Sequence, residues 1–352
     1  MHMLTRVLDR RFVCLAAALT LLALTRVAAR ADEPRGLDLY FIDVEGGAAT
    51  LIVTPSGESI LIDSGNPGDR DAARIAAAAK DAGVTLIDHY ITTHYHSDHV
   101  GGIGPLSKLL PIKERYGHAI PDPLPDDISK PLIDIWKGMP GEPHFLQAGD
   151  QLKFTRVKGM ADLRMRVLAA NGFVEGEKPG AAPFTDCPDG SKAKAEDTSD
   201  NARSVAMVFT FGAFDLFAGG DLTWNVEHKL TCPKHIAPKV DVYLVDHHGL
   251  DLSNNPALVA ALAPEVAIVN NGPRKGAEHE TMTTLLKNGN DVGVYQLHRN
   301  VREGASNVDP ARIANAEEDC KGAYIHIKVD AHGGHYSVEI PARGTVRNYD
   351  AS

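Results

Sequence analysis

Residues 86–102 read LIDHYITTHYHSDHVGG, and this stretch decides how the rest of the chain is interpreted. The apolar run Leu86–Thr92 predicts a β-strand. Four side chains that can bind a metal follow this strand within six residues: His94, His96, Asp98 and His99. Neutral imidazoles and carboxylates at this density are typical ligands of zinc and similar divalent metals. A solvated histidine-rich loop is the disfavoured alternative, because the cluster lies between an apolar strand and a Val-Gly-Gly turn.

The surrounding sequence predicts an α/β protein. The predicted strands are Leu37–Ile42, Ala49–Val53, Ser59–Ile62, Leu86–Thr92, Val205–Phe211, Phe214–Ala218, Val240–Val245, Val266–Val269, Val292–Gln296, Ala323–Val329 and Tyr336–Ile340. The predicted helices are Asp69–Ala82, Pro256–Leu262 and Met282–Leu286. Because strands occur both in hairpin runs and between helices, we expect a mixed sheet in a layered fold. Residues 111–150 are Pro-rich and predicted to be irregular, and the polar residues 174–201 are predicted to form a surface loop that acts as an active-site lid.

Three further motifs lie at the ends of predicted strands. They are Asp63 in Leu-Ile-Asp-Ser-Gly, Asp221 in Ala-Gly-Gly-Asp, and the tandem pair His247-His248 before Gly249. Together with the cluster of residues 94–99, they resemble the metallo-β-lactamase superfamily of hydrolases over most of residues 37–340. The resemblance implies the four-layer αβ/βα sandwich of that fold, formed by one domain over residues 32–352.

Within the superfamily, the chain is most similar to the hydrolase domain of competence DNA-uptake proteins and to phosphorylcholine esterases. The similarity rests on the opening Asp43-Val44 and on Asn201-x-x-Ser204, which lies 20 residues before Asp221. The opening departs from that branch, because its usual Gln and second Asp are absent. Asn201 stands where β-lactamases and glyoxalases have a third-motif histidine. This difference disfavours antibiotic hydrolysis, since one metal would lose an imidazole ligand.

The resemblance implies a site for two Zn²⁺ ions or other divalent metals. His94 and His96 would hold one metal; Asp98, His99 and His248 would hold the other, and Asp221 would bridge them. His247 would line the pocket as a proton donor or as a group behind the ligands, although the sequence leaves open which histidine of the pair is the ligand. The candidate catalytic residues are therefore Asp98, Asp221 and His247. The candidate substrate-contacting or supporting residues are Asp63, Asn201 and Ser204.

Two further sequence features near these motifs can each be interpreted in two ways. Asp246 directly precedes the tandem histidines, and either orients an imidazole or is a plain acid at the end of a strand. Arg274 and Lys275 follow Asn270-Asn271-Gly272, and either bind an anionic group or are exposed bases on a turn.

The expected function is metal-dependent hydrolysis of a small phosphate ester or diester. Two adjacent metals can lower the pKa of a shared water toward neutrality, which supplies hydroxide at ordinary pH. Hydrolysis of a lactone, thioester or β-lactam is the alternative reaction. A secreted metal-binding protein without activity is the alternative class, although it has little need for a water-activating site.

The first 31 residues predict export to the periplasm or the exterior. Three arginines precede the apolar run Phe12–Leu24, and Ala29-Arg30-Ala31 has the small-x-small pattern of a signal-peptide cleavage site. This run of thirteen residues, apolar except for Thr20, is too short for a comfortable membrane span, so an uncleaved anchor is disfavoured and no span is expected after cleavage.

Charge and cysteines limit the partners of the chain that starts at Asp32. It keeps 31 of the 36 basic and 45 of the 46 acidic residues, a net charge of −14, which disfavours nucleic acid as a partner. Its three cysteines, Cys187, Cys232 and Cys320, allow one disulfide and one free thiol. None has Cys-x-x-Cys spacing, so the cysteines alone do not indicate a metal site.

Overall fold

Two mixed β-sheets organise the chain in the computed structural model, which describes residues 35–141, 143–177, 193–287 and 292–352. The first nine strands in chain order are β1 Leu37–Phe41, β2 Thr50–Val53, β3 Ser59–Ile62, β4 Ile87–Ile91, β5 Ile112–Gly117, β6 Pro143–Phe145, β7 Gln151–Lys153, β8 Leu163–Ala170 and β9 Phe173–Val174. The next nine are β10 Ala206–Phe211, β11 Phe214–Ala218, β12 Val242–Leu244, β13 Val266–Val269, β14 Gly293–His298, β15 Ile313–Asn315, β16 Ile325–Val329, β17 His335–Ile340 and β18 Thr345–Asp350.

The α-helices lie mainly between parallel strands. They are α1 Asp69–Asp81, α2 Ser97–Val100, α3 Ile103–Leu109, α4 Lys130–Lys137, α5 Trp224–Thr231, α6 Pro256–Leu262 and α7 His279–Lys287. Helix α1 shows why the sequence forms them: Ala72, Ile75 and Ala79 recur at helical spacing and are buried, while acids occupy its first turn and Lys80 its last turn. This placement of charge complements the helix dipole.

Each sheet is antiparallel at one side and parallel at the other. The first sheet has the order β18-β17-β16-β1-β2-β3-β4-β5-β6, and only its β3 to β6 pairings are parallel. The second has the order β15-β14-β13-β12-β11-β10-β8-β7, with β9 paired to β8, and its β11 to β15 pairings are parallel. The carboxyl ends of the parallel strands form a rim where loops meet.

Three hydrophobic layers hold these sheets and helices together. Strand β1 sends Leu39 and Phe41 into the core that contains Phe209 of the second sheet, while Tyr40 points into the core shared with α1. A third core joins the second sheet to α5, α6 and α7. Alternate residues of a strand face opposite sides of its sheet, so each sheet is covered on one side by helices. The expected four-layer αβ/βα sandwich is confirmed.

Residues 111–150 contradict the prediction of an irregular segment. They contain β5, α4 and β6, and three of their seven prolines lie at the start of elements: Pro111 precedes β5, Pro131 is in the first turn of α4, and Pro143 begins β6. Proline is tolerated at these positions because its missing N–H is not needed there. The other four prolines lie in the loops between these elements, so the segment is irregular only in part.

Several other expectations concern the chain's ends, loops and cysteines. Residues Gly36–Ser352 form one compact unit, whereas residues 1–31 and most of the predicted 174–201 loop lie outside the described residues. Cys232 is disulfide-bonded and Cys320 is a free thiol, while Cys187 lies outside the described residues. None of the described helices is both long and apolar enough to cross a bilayer.

Candidate metal centre

The predicted site residues lie in loops at the carboxyl ends of parallel strands. Asp63 follows β3, and residues 93–99 follow β4, its parallel neighbour. In the second sheet, Asp221 follows β11, and a 3-10 helix, Asp246–Gly249, follows the parallel neighbour β12. These four loops therefore meet at the rim between the two sheets.

Asp63 organises the histidine-rich loop. Its Oδ1 accepts the backbone N–H of Thr93 at 2.8 Å, and its Oδ2 accepts the Thr93 hydroxyl at 2.7 Å. Its Oδ2 also lies 2.8 Å from Nδ1 of His99. The bond to Nδ1 leaves Nε2 of His99 facing the site, which is the usual way a carboxylate orients a metal-binding imidazole.

Four predicted ligands converge into one group. One ligand atom from each lies within 4.8 Å of the others, the four residues being Asp98, His99, Asp221 and His248. His99 Nε2 lies 3.1 Å from Asp221 Oδ1 and 3.2 Å from His248 Nε2. His248 Nε2 in turn lies 3.2 Å from Asp98 Oδ2. Two imidazoles and two carboxylates form a donor set that suits zinc.

The charges in this group need a cation. Burial lowers the pKa of His99, but the carboxylates of Asp221, Asp63 and Asp98 outweigh it and hold that pKa well above its ordinary value. Burial raises the pKa of Asp221, but His99 and His248 hold it well below its ordinary value. Asp221 Oδ1 is buried and accepts no hydrogen bond from any residue that the structure describes. Three carboxylates around one imidazole provide the negative charge that a divalent metal would balance.

A second group lies on the other oxygen of Asp221. Its Oδ2 lies 3.4 Å from His247 Nε2 and 3.8 Å from His94 Nε2. His94 Nε2 is buried without a hydrogen-bond partner. Burial and the nearby charge of His99 hold the pKa of His94 well below its ordinary value, which gives the neutral imidazole that binds metals.

His96 lies beside His94, and one of its ring nitrogens contacts a carboxylate. Its ring centroid is 4.7 Å from that of His94, and its Nε2 lies 2.8 Å from Asp127 Oδ2. The contact with Asp127 leaves Nδ1 as the nitrogen of His96 that could bind a metal. A carboxylate behind the imidazole is the arrangement that orients histidine ligands.

The tandem histidines face different oxygens of Asp221. Both have left-handed backbone, with φ of 52° at His247 and 56° at His248, and Nε2 of His248 lies 3.4 Å from Oδ1. Ser253 donates its hydroxyl to Leu222 O at 2.6 Å, so its Oγ accepts Nδ1–H of His247 at 3.1 Å. Nε2 of His247 therefore carries a lone pair, and burial lowers the pKa of this imidazole. A proton donor at that position, as the resemblance implied, would need the protonated form instead.

Asn201 and Ser204 lie against the same carboxylate loop. Asn201 Nδ2 is 3.5 Å from His247 Nε2, and its Oδ1 is buried without a partner. The hydroxyl of Ser204 accepts the backbone N–H of Asp221 at 3.2 Å. The structure thus brings both residues to the site, one beside the second group and one behind Asp221.

Asp127 and Asp200 support the site and were not predicted from the sequence. Buried Asp200 accepts the backbone N–H of Tyr95 at 2.7 Å, and its own N–H donates to Asp127 at 2.7 Å. These bonds tie the loop of residues 94–99 to the 3-10 helix Asp200–Arg203. The position of Asp200 directly before Asn201 was a usable signal. No sequence pattern indicated Asp127.

Lys275 reaches the site from the loop after β13. Its Nζ contacts Asp98 Oδ2. Burial raises the pKa of Asp98, but His99, His248 and Lys275 hold it well below its ordinary value. The Lys275 side chain is 40% exposed, and its ammonium group pairs with Asp98. Arg274, the other base of this loop, pairs with Glu318, and both interpretations of the loop stay predictions.

Neither buried carboxylate oxygen of Asp246 has a hydrogen-bond partner among the described residues, so Asp246 orients no described imidazole. Burial raises the pKa of Asp246 and that of the neighbouring Glu227 of α5, the latter to about 6, and the charge of Glu227 raises the pKa of Asp246 further. Glu227 also accepts the backbone N–H groups of Asn254 and Asn255 at 2.8 and 2.7 Å. A Cβ at Gly219 would lie 2.3 Å from an Asp246 oxygen, so the Ala-Gly-Gly-Asp motif needs glycine there.

Comparison with known proteins identifies the fold. Residues 42–167 match the model of the metallo-beta-lactamase superfamily. Together with the four-layer sandwich, this match shows that the chain has the metallo-β-lactamase fold.

Two curated relatives match shorter stretches. Hydroxyacylglutathione hydrolase of Brucella anthropi is 33% identical over 153 residues, 44% of this chain and 45% of the relative. Atrochrysone carboxyl ACP thioesterase of Aspergillus terreus is 35% identical over 65 residues, 18% of this chain and 20% of the relative. The chain thus spans less than half the length of these relatives.

Two solved structures are similar at low identity. A subclass B3 metallo-beta-lactamase from a soil metagenome library has a TM-score of 0.36 and 15% identity, covering 61% of this chain and 81% of that one. A variant of the CmlA beta-hydroxylase has a TM-score of 0.41 and 15% identity, covering 84% and 59%.

Proposed function

From the metallo-β-lactamase fold of this chain, and the match of residues 42–167 to that superfamily, we propose that the protein is a metal-dependent hydrolase. The observation that carries the proposal is the position of Asp221 between two groups of imidazoles. Its Oδ1 faces His99 and His248, while its Oδ2 faces His94 and His247. One carboxylate shared by two sets of nitrogen donors is the arrangement that a two-metal hydrolase requires.

The donor set fits two Zn²⁺ ions. Asp98, His99 and His248 would hold one, His94 and His96 the other, and Asp221 would bridge them, with His247 as a further nitrogen near the second. Buried His94 Nε2 and Asp221 Oδ1 have no hydrogen-bond partner within the described part of the chain, which supports this assignment. When bound, two such metals activate a shared water and take charge from the attacked or leaving oxygen.

The protein's own side chains supply orientation and substrate binding. Asp63 fixes the direction of the His99 imidazole, and Ser204 fixes the loop of Asp221. The ammonium of Lys275, partly exposed beside Asp98, can bind an anionic group of the substrate. Asn201 Nδ2 offers an N–H donor beside His247. These groups place a cation and a neutral donor around the bridging carboxylate.

The preferred substrate is a small phosphate ester or diester. Lys275 and the amide of Asn201 favour a substrate that carries negative charge, and Asn201 replaces the imidazole of β-lactam-hydrolysing relatives. Thioester or lactone hydrolysis is the second candidate. It is favoured by the names of the curated relatives, a hydroxyacylglutathione hydrolase and an ACP thioesterase.

A substrate panel tests the proposal. Zinc-loaded protein and an Asp221→Asn variant are assayed with a phosphomonoester, a phosphodiester, a lactone, a thioester and a cephalosporin. We expect the phosphodiester or monoester to give the highest kcat/KM. Asp221→Asn should lower kcat/KM by more than about 100-fold, because loss of a group that only orients a metal ligand typically costs less than this.

The matched control is Asp69→Asn, which changes the same chemical group at an exposed position of α1 and should retain full activity. A higher kcat/KM for the thioester or lactone would support the second candidate. Metal-loaded protein that hydrolyses none of the five substrates, or an Asp221→Asn variant as active as the control, would contradict the proposal.

A further inference from the structure

A second group of metal-binding side chains lies outside the centre described above. Asp43 follows β1 of the first sheet, His298 ends β14 of the second sheet, and Cys320 lies in the loop before β16. One ligand atom from each of the three lies within 4.8 Å of the others. Asp43 and His298 are fully buried, and Cys320 is a partly buried free thiol.

His298 presents an unused lone pair to this group. Its Nδ1 lies 3.1 Å from the backbone carbonyl of Arg299, and a carbonyl oxygen can only accept a hydrogen bond. Nδ1 therefore carries the proton, and Nε2 of the neutral ring carries the lone pair. That Nε2 is buried and has no hydrogen-bond partner among residues 35–141, 143–177, 193–287 and 292–352. A buried nitrogen acceptor without a donor is costly, and the same arrangement, with Nδ1–H fixed by a carbonyl, is usual for histidine that ligates a metal through Nε2.

The other two members already contact each other. The thiol of Cys320 donates to Asp43 Oδ2, with Sγ and oxygen 3.1 Å apart, although 277 residues separate them in sequence. Burial, then the Asp43 carboxylate, raises the pKa of this thiol to about 11. At neutral pH the thiol therefore keeps its proton, which disfavours a role as a nucleophile.

Arg74 of α1 fixes the two loops that carry these groups. Its guanidinium donates to Asp43 O at 3.1 Å, to Glu45 Oε1 at 2.8 Å and to Cys320 O at 2.9 Å. It also lies 3.6 Å from both Asp43 Oδ2 and Cys320 Sγ. Arg74 is therefore the cation that would balance the negative charge of a carboxylate and a thiolate held side by side.

We propose that Asp43, His298 and Cys320 form a zinc site separate from the centre at Asp221. Carboxylate, imidazole and thiolate are each ordinary zinc ligands, and water completes the four-coordinate shell. Binding replaces the thiol proton, which passes to solvent, so Cys320 Sγ becomes a thiolate ligand without any redox change.

The site joins strands of both sheets close to the candidate centre. Asp43 begins the loop whose Ala48 N–H donates to Asp98 O at 3.1 Å, and His298 belongs to the opposite sheet. An ion held by both would keep the loop of residues 43–48 in place against Asp98. Its role is therefore structural, and the expected consequence is higher stability with metal than without.

Cobalt substitution distinguishes the two sites, because none of the candidate ligands at the Asp221 centre is a cysteine. Co²⁺ bound by a thiolate gives a near-ultraviolet charge-transfer band, whereas nitrogen and oxygen ligands alone do not. We expect this band in the full chain loaded with Co²⁺, and its loss in Cys320→Ala and His298→Gln. Metal analysis should give about one equivalent less in Cys320→Ala than in the wild type.

An Asp221→Asn variant is the matched control and should retain the band while losing metal from the other centre. Cys320 is partly exposed, so Cys320→Ala is expected to fold even if the change at buried His298 prevents folding. Absence of the band in the wild type, or an unchanged band and metal content in Cys320→Ala, would show that the three residues form only a hydrogen-bonded cluster. Neither outcome depends on hydrolytic activity.

Discussion

At the residue scale, two carboxylates set the geometry of the candidate centre. Asp63 lies behind the site, and its two carboxylate oxygens form hydrogen bonds with the Thr93 backbone N–H, the Thr93 hydroxyl and His99 Nδ1. Asp221 lies within the site and divides its oxygens between two groups of imidazoles. Asp63 therefore sets the direction of the His99 imidazole, whereas Asp221 sets how many imidazoles converge on one carboxylate.

Asp63→Asn tests the orienting role. Asp63 has φ of 59°, and asparagine tolerates this left-handed backbone, so the change removes charge with little backbone strain. We expect metal affinity to fall by about 10–100-fold, as is typical for carboxylates behind histidine ligands. Competition with a chromophoric chelator measures this affinity, and Asp69→Asn on the surface is the control. Equal affinities in the two variants would show that Asp63 does not orient His99.

The two histidines of the tandem pair should affect different metals. The resemblance to the superfamily implies that Asn201 replaces an imidazole, so we expect the group with His94 and His96 to release its metal first, giving two steps in a chelator titration. Asparagine also tolerates left-handed backbone, so both histidines can be replaced by it with little strain. We expect His247→Asn to move the first release to a lower chelator concentration and His248→Asn to do the same for the second release. Asn201→His should move the first release to a higher chelator concentration.

Metal content measured at each chelator concentration reports the two steps. A single step in the wild type, or the same step altered by both histidine variants, would mean that Asp221 does not divide two metals as its contacts indicate.

At the element scale, the 3-10 helix Asp246–Gly249 depends on its neighbours. Glu227 of α5 accepts N–H groups at Asn254 and Asn255, the residues that lead into α6, and its charge raises the pKa of Asp246. Helix α5 therefore supports the loop that carries both histidines, although it contributes no ligand.

This buried pair should make stability depend on pH. Burial raises the pKa of Glu227 from 4.5 to about 6, so the folded state binds the proton more tightly than the unfolded state. The stabilisation is fully present below pH 4.5 and is lost as pH rises through about 6. Relative to Glu227→Gln, the wild type should lose up to about 2 kcal/mol of unfolding free energy across this window.

Urea unfolding of the wild type and Glu227→Gln between pH 4.5 and 7 measures the difference, with exposed Glu317→Gln as control. Parallel pH profiles for the wild type and Glu227→Gln would contradict a proton held by this pair.

The sequence predicted elements that carry their own periodic signal. Strand β3, β11, β13 and helix α6 were predicted with their observed bounds, because short apolar runs or helical spacing were flanked by turn residues. Helix α5, WNVEHKLT, was missed, because its buried residues include Glu227 and His228 and no apolar stripe is visible. The ligand candidates were found because they occur in short motifs. Asp127 was not, because its contact with His96 spans 31 residues and depends on packing alone.

At the scale of the whole molecule, the net charge bears on the proposed substrate class. A chain that starts at Asp32, as the proposed cleavage gives, has a net charge of −14, and such a surface repels phosphate backbones. We expect a small anionic ester to meet less of this repulsion, since Lys275 supplies a local positive charge. The proposed function therefore favours small phosphodiesters over nucleic acid.

Duplex DNA should be a poor substrate. We expect kcat/KM for long DNA to lie far below that for a small phosphodiester at physiological ionic strength, because long-range repulsion opposes association. Gel assays of plasmid DNA over a series of salt concentrations, beside a chromogenic diester, measure the ratio. Rapid DNA cleavage that falls steeply with added salt would contradict this expectation.

We propose that the protein is exported, because residues 1–31 have the pattern of a secretory signal. Fusion of residues 1–36 to a reporter should carry the reporter across the inner membrane, and processed protein should begin at Asp32. A fusion with Leu15, Leu21 and Leu22 changed to Asp is the control and should stay inside. N-terminal sequencing of an unprocessed chain would contradict the cleavage assignment.

The pairing of β1 with β16 sets an order of events during synthesis. Tyr40 of β1 lies opposite His326 of β16, whose side chain also contacts Asp38 across 288 residues of sequence, so a ribosome makes β1 long before its partner. At about 5–20 residues per second, one edge of β1 waits about 15–60 s for β16. An unpaired strand edge can join other chains in the meantime. The nascent chain is therefore expected to need a chaperone until translation is nearly complete, and truncation before residue 325 should leave the first sheet open.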